Sequence, residues 1–281
     1  MSKVSSHPFR TIVAVAVTAA AAVIAPIAPA VAAPGDPETV AAQIEPSVAR
    51  IDTIVDYQQA YGIGTGIVLS PNGEVLTNYH VVQGANSITA TVGGQRFPAD
   101  LIGYDRQNDI AVLQLHGAAG LPPAPIGDSA ALAPGHPVVA LGNAGGSGAP
   151  LTREIGTVSA FNRTVNAEDE LTGTSDEING LFEFAAPVRA GDSGGPVVND
   201  AGQVVGMTTA ASVNFRMGPG GKGFAIPIND AMAIAGQIRS RTPSPTASCR
   251  VATNARASRV WSVSWPRRPS GRPQRVRNAE P

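Results

Sequence analysis

Short apolar runs, each closed by turn residues, recur through the middle of this chain and limit what it can fold into. Gly66-Ile67-Val68-Leu69 ends at Ser70-Pro71-Asn72-Gly73, a hairpin signal, and Val75-Leu76-Thr77 resumes. Ser87–Val92 alternates and stops at Gly93-Gly94, whereas Ile110–Leu115 and Pro137–Leu141 read as buried strands, the latter closed by Gly142-Asn143. A second hairpin runs from Gly195-Pro196-Val197-Val198 through Asn199-Asp200-Ala201-Gly202 to Gln203–Met207. With 31 Gly and 24 Pro in 281 residues and only 15% charged residues, a coiled coil or helical bundle is excluded. A hydrophobic fraction of 43% is enough for a sizeable core, so the pattern predicts an all-β sandwich or barrel. Two helices flank it. Asp36-Pro37-Glu38-Thr39 opens one over Val40, Ile44 and Val48, and Asn229 can cap another with Met232, Ile234, Ala235 and Ile238 on its apolar face.

The net charge of −1 hides three unlike zones. Residues 1–32 carry only Lys3 and Arg10, residues 33–240 carry nine basic against twenty acidic groups, and residues 241–281 carry nine Arg against Glu280. In the first zone the basic start precedes a Val/Ala/Ile run from Thr11 to Ala25, and Ala30-Val31-Ala32 has the small-x-small form of a cleavage site. That predicts a signal peptide over 1–32 and a secreted or cell-envelope protein. The rival, a retained anchor, would need roughly 20 apolar residues to span a bilayer. The single Cys249 rules out an internal disulfide scaffold and any multi-cysteine zinc site. No cofactor and no metal are expected.

The third zone, 241–281, holds Cys249, Trp261 and Trp265 among Arg, Pro and Ser without periodicity. It reads as a disordered basic tail. A sharper alternative is weak contact with an anionic surface, since Arg and Trp together suit phosphates and membrane interfaces; no nucleic-acid partner is expected. A change of reading frame near Thr242 would also produce such a composition.

The chemistry is concentrated in Gly191-Asp192-Ser193-Gly194-Gly195-Pro196. A serine hydroxyl is a weak nucleophile and needs a base within hydrogen-bond reach. The flanking glycines let the chain turn sharply, and the N–H groups of Gly191 and Ser193 could bind the oxyanion of an attacked carbonyl, each donor worth roughly 10²–10³ in rate. The bland alternative is an ordinary Gly/Ser turn.

His7 falls within the signal zone, and His116 and His136 lie in Gly/Pro-rich connections and are expected to face solvent. His80 follows Leu76-Thr77-Asn78-Tyr79 and precedes Val81-Val82, which suits a fixed, half-buried imidazole. By itself it would read as a satisfied core residue; beside the serine motif it becomes the candidate base. Asp109 opens the apolar run of Asn108-Asp109-Ile110-Ala111-Val112-Leu113, where a carboxylate is costly to bury unless paired. A histidine N–H would serve as the pair. The bland reading is a turn aspartate, and Asp105 is the rival acid.

Thr77-Asn78-Tyr79-His80-Val81-Val82, the Asp109 segment and the Ser193 segment occur in the order His, Asp, Ser. That order is chymotrypsin-like, unlike subtilisin or the α/β-hydrolases. The local sequences resemble the HtrA/DegP branch of trypsin-like serine proteases, especially its secreted actinobacterial members. Gly64–Leu69, Leu141-Gly142-Asn143 and Gly223–Ile228 are similar to that branch as well, and the resemblance runs from about Ala41 to Arg239. It implies two six-stranded antiparallel β-barrels, split near Ala133, with short flanking helices, a protease domain over 33–240 and a site in the cleft between the barrels.

The resemblance implies a His80–Asp109–Ser193 triad, an oxyanion hole at Gly191 and Ser193, and protein or peptide substrates. It also implies that Thr209, Ala210 and Ala211 pair with substrate backbone and that Val188 and Ala211 line the first specificity pocket. With no acidic residue among them, a small or medium apolar side chain is expected there rather than Lys or Arg. The chain departs from the pattern at three points. No Ile-Val-Gly-Gly start exists for Asp192 to bind, so ordering of loops such as 143–150 and 162–180 is expected to govern activity. The 41 residues after Ser240 fall below the roughly 50 at the low end of domain size, so no peptide-binding PDZ domain is expected. Arg189-Ala190 is expected to alter the pocket rim. The runner-up function is a non-catalytic secreted binder or chaperone on a protease fold.

Overall fold

The structure, a computed structural model, describes residues 35–56, 60–146, 148–168, 175–209 and 221–241. The expected signal peptide over 1–32 lies outside the described residues, as do Ala210, Ala211 and the basic tail beyond Arg241.

Twelve strands close into two antiparallel barrels. The first contains β1 (Val48–Val55), β2 (Ala60–Val68), β3 (Glu74–Thr77), β4 (Ser87–Val92), β5 (Gln95–Asp105) and β6 (Ile110–Leu115), ordered β1-β2-β3-β6-β5-β4. The second contains β7 (Pro137–Gly142), β8 (Thr152–Glu168), β9 (Ser175–Phe184), β10 (Pro196–Asn199), β11 (Val204–Thr208) and β12 (Gly223–Pro227), ordered β10-β11-β12-β9-β8-β7. Among the described residues they are accompanied by the α-helices α1 (Pro37–Ile44), α2 (Tyr79–Val82) and α3 (Ile228–Arg241).

The unbroken apolar runs have a physical cause. Successive side chains of a strand point to opposite faces, and here both faces are buried. In β6, Ala111, Leu113 and Leu115 fill the first barrel, while Ile110 and Val112 join a core shared with the second. In β7, Val138 and Ala140 fill the second barrel, and Val139 and Leu141 enter the same shared core. Leu76 of β3, Val198 of β10 and Met207 of β11 also belong to it, with Val40 and Ile44 of α1 and Ala235 and Ile238 of α3. The two barrels are therefore packed through a continuous hydrophobic seam. The segments carrying the candidate site residues adjoin the ends of these seam strands.

Asp36 caps α1, its carboxylate accepting from Thr39 N at 3.1 Å. Asn229 departs from the expectation of a cap and lies inside α3. Its amide instead donates to Asp128 Oδ1 at 2.6 Å, its Oδ1 accepts from Ser129 N at 3.3 Å, and its N–H donates to Ser129 Oγ at 3.2 Å. A tertiary contact thus claims the side chain. The stretch 162–180, expected as a loop, is strand over its described residues. Its polar, glycine-containing composition conceals a ribbon in which Val165 pairs with Ile178, both buried.

Candidate active site

Asp109 precedes β6 with φ of 54°, a left-handed conformation costly for a non-glycine residue. The turn before it is held by Asp105, whose Oδ1 accepts from the N and Nδ2 of Asn108, each at 3.1 Å. Asp105 is thus engaged within its own turn. The strained turn faces Asp109 toward the end of β3. Its carbonyl accepts from Asn78 Nδ2 at 3.0 Å and Tyr79 N at 3.2 Å. Its carboxylate takes His80 from two sides, Oδ1 from the backbone N at 3.0 Å and Oδ2 from Nδ1 at 2.9 Å. Only 4% of Asp109 is exposed, against 36% of the His80 side chain.

A carboxylate can only accept here, so Nδ1 carries the hydrogen and Nε2 is the basic nitrogen of the neutral ring. Burial pushes the His80 pKa down, but the charge of Asp109 and its hydrogen bond outweigh that and hold it above its ordinary 6.5.

Ser193 precedes β10 and is 4% exposed. Its carbonyl accepts from Thr65 N at 2.8 Å, and Gly194 N donates to Thr208 O at 2.8 Å. The next residue, Thr209, donates its hydroxyl to Asp109 Oδ2 at 3.1 Å. A chain of covalent and hydrogen bonds therefore runs from Ser193 through Gly194, Thr208, Thr209 and Asp109 to His80. Gly194 sits at φ +84°, and a Cβ there would strike the Thr65 carbonyl and the Thr77 hydroxyl. Gly191 sits at φ +94°, where a Cβ would fall 2.8 Å from Asn143 O. Both glycines are demanded by conformation and by close approach.

The turn around them is anchored. Gly191 O accepts from the Thr65 hydroxyl at 2.6 Å and from Asn143 N at 3.2 Å. Asp192, 1% exposed, places Oδ1 on Ala144 N at 3.1 Å and the Thr152 hydroxyl at 2.5 Å, and Oδ2 on Arg189 N at 2.8 Å. Its acceptors are thus engaged by donors of the chain itself.

The remaining sequence candidates fall as follows. Val188 is buried with the second barrel's core. Thr209 N donates to Phe224 O at 2.9 Å, and its hydroxyl is spent on Asp109, a role that no sequence signal indicated. The polar contacts of Thr65, Asn143 and Thr152 were likewise not indicated; the first two fell in segments noted only for their likeness to the family, and a lone polar residue carries no spacing signature. His116 and His136 are exposed; His116 pairs with Asp100 at 2.8 Å, and His136 Nδ1 accepts from Ala133 N at 3.2 Å. Among the described residues, no cluster of His, Cys, Asp and Glu could hold a metal ion. No described helix is long and apolar enough to cross a membrane.

Residues 64–207 match the trypsin-like peptidase domain family. The chain belongs to that family. Within it the chain is HtrA-like. It is 35% identical over 234 residues to the serine protease PepD of Mycobacterium tuberculosis, covering 78% of this chain and 49% of that protein. It is 38% identical over 212 residues to the serine protease Do-like HtrB of Bacillus subtilis, covering 69% of this chain and 45% of that one. Among solved structures it resembles the HtrA-type protease AlgW with a tripeptide, at a TM-score of 0.60 and 27% identity, over 72% of this chain and 63% of that chain. The HtrA-like chain spans about half the length of the curated relatives it matches.

Proposed function

We propose that this HtrA-like chain is an exported serine endopeptidase that cleaves peptide bonds through Ser193, His80 and Asp109. The observation that carries the reading is the double grip of Asp109 on His80, at Nδ1 and at the backbone N. It assigns the proton to Nδ1 and leaves Nε2 as a base whose pKa stands above 6.5.

His80 Nε2 takes the proton of Ser193 Oγ as that oxygen attacks the peptide carbonyl carbon, and the carbonyl electron pair moves onto oxygen. The N–H groups of Gly191 and Ser193 hold that oxyanion. The imidazolium returns the proton to the leaving amine as the C–N bond breaks, leaving an ester on Ser193. Water repeats the sequence with His80 as base and releases the acid. Asp109 stays ionised, orienting the ring and stabilising its cationic form.

Substrates in this reading are proteins or peptides, with a small or medium apolar side chain in the pocket assigned to Val188 and Ala211. The basic Lys3 and Arg10, the apolar run from Thr11 to Ala25 and the small-x-small Ala30-Val31-Ala32 support export. The test is hydrolysis of an unfolded protein such as reduced casein by the full chain, followed by profiling of the cleaved bonds. Cleavage after small or medium apolar residues by the wild type, abolished in Ser193→Ala, supports the proposal. A folded wild type that binds casein without cutting it contradicts the proposal and favours the binder.

A further inference from the structure

We infer that Thr65 is a positioning residue for the oxyanion hole, its hydroxyl holding the Gly191–Asp192 peptide in the orientation that catalysis requires. The inference rests on the proposed peptidase reading.

Thr65 lies in β2 of the first barrel, fully buried, on the opposite side of the seam from the serine turn. Two of its groups make three bonds to that turn or its support. The hydroxyl donates to Gly191 O at 2.6 Å and accepts from Asn143 N at 2.9 Å, and the backbone N donates to Ser193 O at 2.8 Å. The hydroxyl therefore uses both its donor and its acceptor capacity to connect the turn with the segment after β7.

The peptide between Gly191 and Asp192 is the one held. Its carbonyl is pinned by Thr65 and Asn143, and its N–H donates to Arg189 O at 3.0 Å. This peptide lies between the two amides proposed to bind the oxyanion, those of Gly191 and Ser193. Those N–H groups belong to the two adjoining peptides, so a displacement of this one shifts them out of register with each other. Gly191 has no Cβ to resist such rotation, so its local conformation is weakly determined. The resistance comes from the bonds to the carbonyl, and that from Thr65 is the shorter, at 2.6 Å against 3.2 Å from Asn143 N. Donors that are oriented before reaction need no reorganisation during it, which is where such a site gains its rate.

The methyl group of Thr65 is a separate matter. A Cβ on Gly195 would lie 3.1 Å from it, so it packs against the strand that follows the serine. Packing and positioning can thus be separated by changing one group at a time. Thr65→Val removes the hydroxyl and keeps the shape, Thr65→Ser removes the methyl and keeps the hydroxyl, and Thr65→Ala removes both.

The experiment measures kcat and KM on a peptide substrate, inhibition by a peptide boronate whose adduct seats an oxygen in the hole, and the thermal midpoint, for the full chain and each variant. The expected result is a fall in kcat of about 10- to 100-fold in Thr65→Val and Thr65→Ala, less than loss of a whole oxyanion donor. KM should move by less than about threefold, boronate binding should weaken in step with kcat, and Thr65→Ser should restore kcat to within about threefold of wild type. If Thr65→Val does not fold, the Ala and Ser pair carries the comparison. Wild-type kcat in folded Thr65→Val or Thr65→Ala overturns the inference, as does an equal loss in all three variants, which would mark a packing role. A folded wild type with no turnover overturns the peptidase reading and this inference with it, whereas an active wild type indifferent to the hydroxyl overturns the inference alone.

Discussion

The Thr209 hydroxyl lies 3.1 Å from Asp109 Oδ2, the same oxygen that meets His80 Nδ1 at 2.9 Å. Two donors thus converge on one carboxylate oxygen, one from the segment after β11 and one from α2. The contact joins the second barrel to the acid of the first, and it fixes the carboxylate plane that orients the ring.

Thr209→Val removes one of those donors without changing shape. It leaves more of the Asp109 charge uncompensated beside His80, so the acid limb of the kcat/KM profile should move to higher pH. The plateau should fall about tenfold, the equivalent of one hydrogen bond to a charged group. A pH–rate profile checks both effects.

His80 must be neutral to act as base, and its pKa is held above 6.5. Activity should therefore rise with pH through a midpoint above 6.5. Because the folded-state pKa is raised, the stabilisation from protonated His80 is fully present below pH 6.5 and is lost as pH rises through the folded value. In Asp109→Asn the midpoint should drop and kcat should fall by roughly 10³–10⁴. Rates and thermal midpoints measured across pH 5 to 9 test the sign of each effect.

Asp192 engages three neutral donors while almost wholly enclosed. Asp192→Ala strands the amides of Ala144 and Arg189 and the hydroxyl of Thr152. Stability should fall by about 3 kcal/mol, and kcat should fall more than KM changes. Urea unfolding and steady-state kinetics on the same preparation measure the two losses.

Glu183, near the end of β9, accepts from Ser159 Oγ at 3.1 Å and pairs with Arg163 at 2.9 Å and Lys222 at 3.0 Å. Burial pushes its pKa up, but the bonds from Lys222, Ser159 and Arg163 prevail and hold it below the usual carboxylate value. Its contribution is present above the unfolded pKa, near 4.5, and is lost as pH falls through the depressed folded value. Glu183→Gln should cost about 2 kcal/mol, discounted because both cations are half exposed, and lower the thermal midpoint by roughly 4–8 °C at neutral pH. The difference from wild type should shrink in acid, which calorimetry at several pH values would reveal.

The sequence made legible what rests on period and turn chemistry. β4 and β6 run over Ser87–Val92 and Ile110–Leu115, as the alternating and apolar runs predicted, because burial on one or two faces writes itself into side-chain order. His80, Asp109 and Ser193 stood out as candidates because their local motifs are specific, and the structure sets the first two 2.9 Å apart. Long-range polar contacts were not visible. Thr65, Thr152 and Thr209 act through partners 126, 40 and 100 positions away, and Asn229 was drawn from its expected cap by Asp128 and Ser129, 101 and 100 positions earlier. Such pairings are set by how the barrels pack, and no local pattern encodes them. The ribbon of β8 and β9 escaped notice because main-chain pairing can hold polar residues that a propensity argument assigns to a loop.

The central claim is that His80 activates the Ser193 hydroxyl as a nucleophile. Stoichiometric reaction with a fluorophosphonate, read by intact mass, tests it most directly. The account predicts one adduct on Ser193 in the folded wild type, none in Ser193→Ala, and labelling slowed by at least about 10³ in His80→Ala. No adduct on the folded wild type, or equal labelling of wild type and His80→Ala, would contradict it.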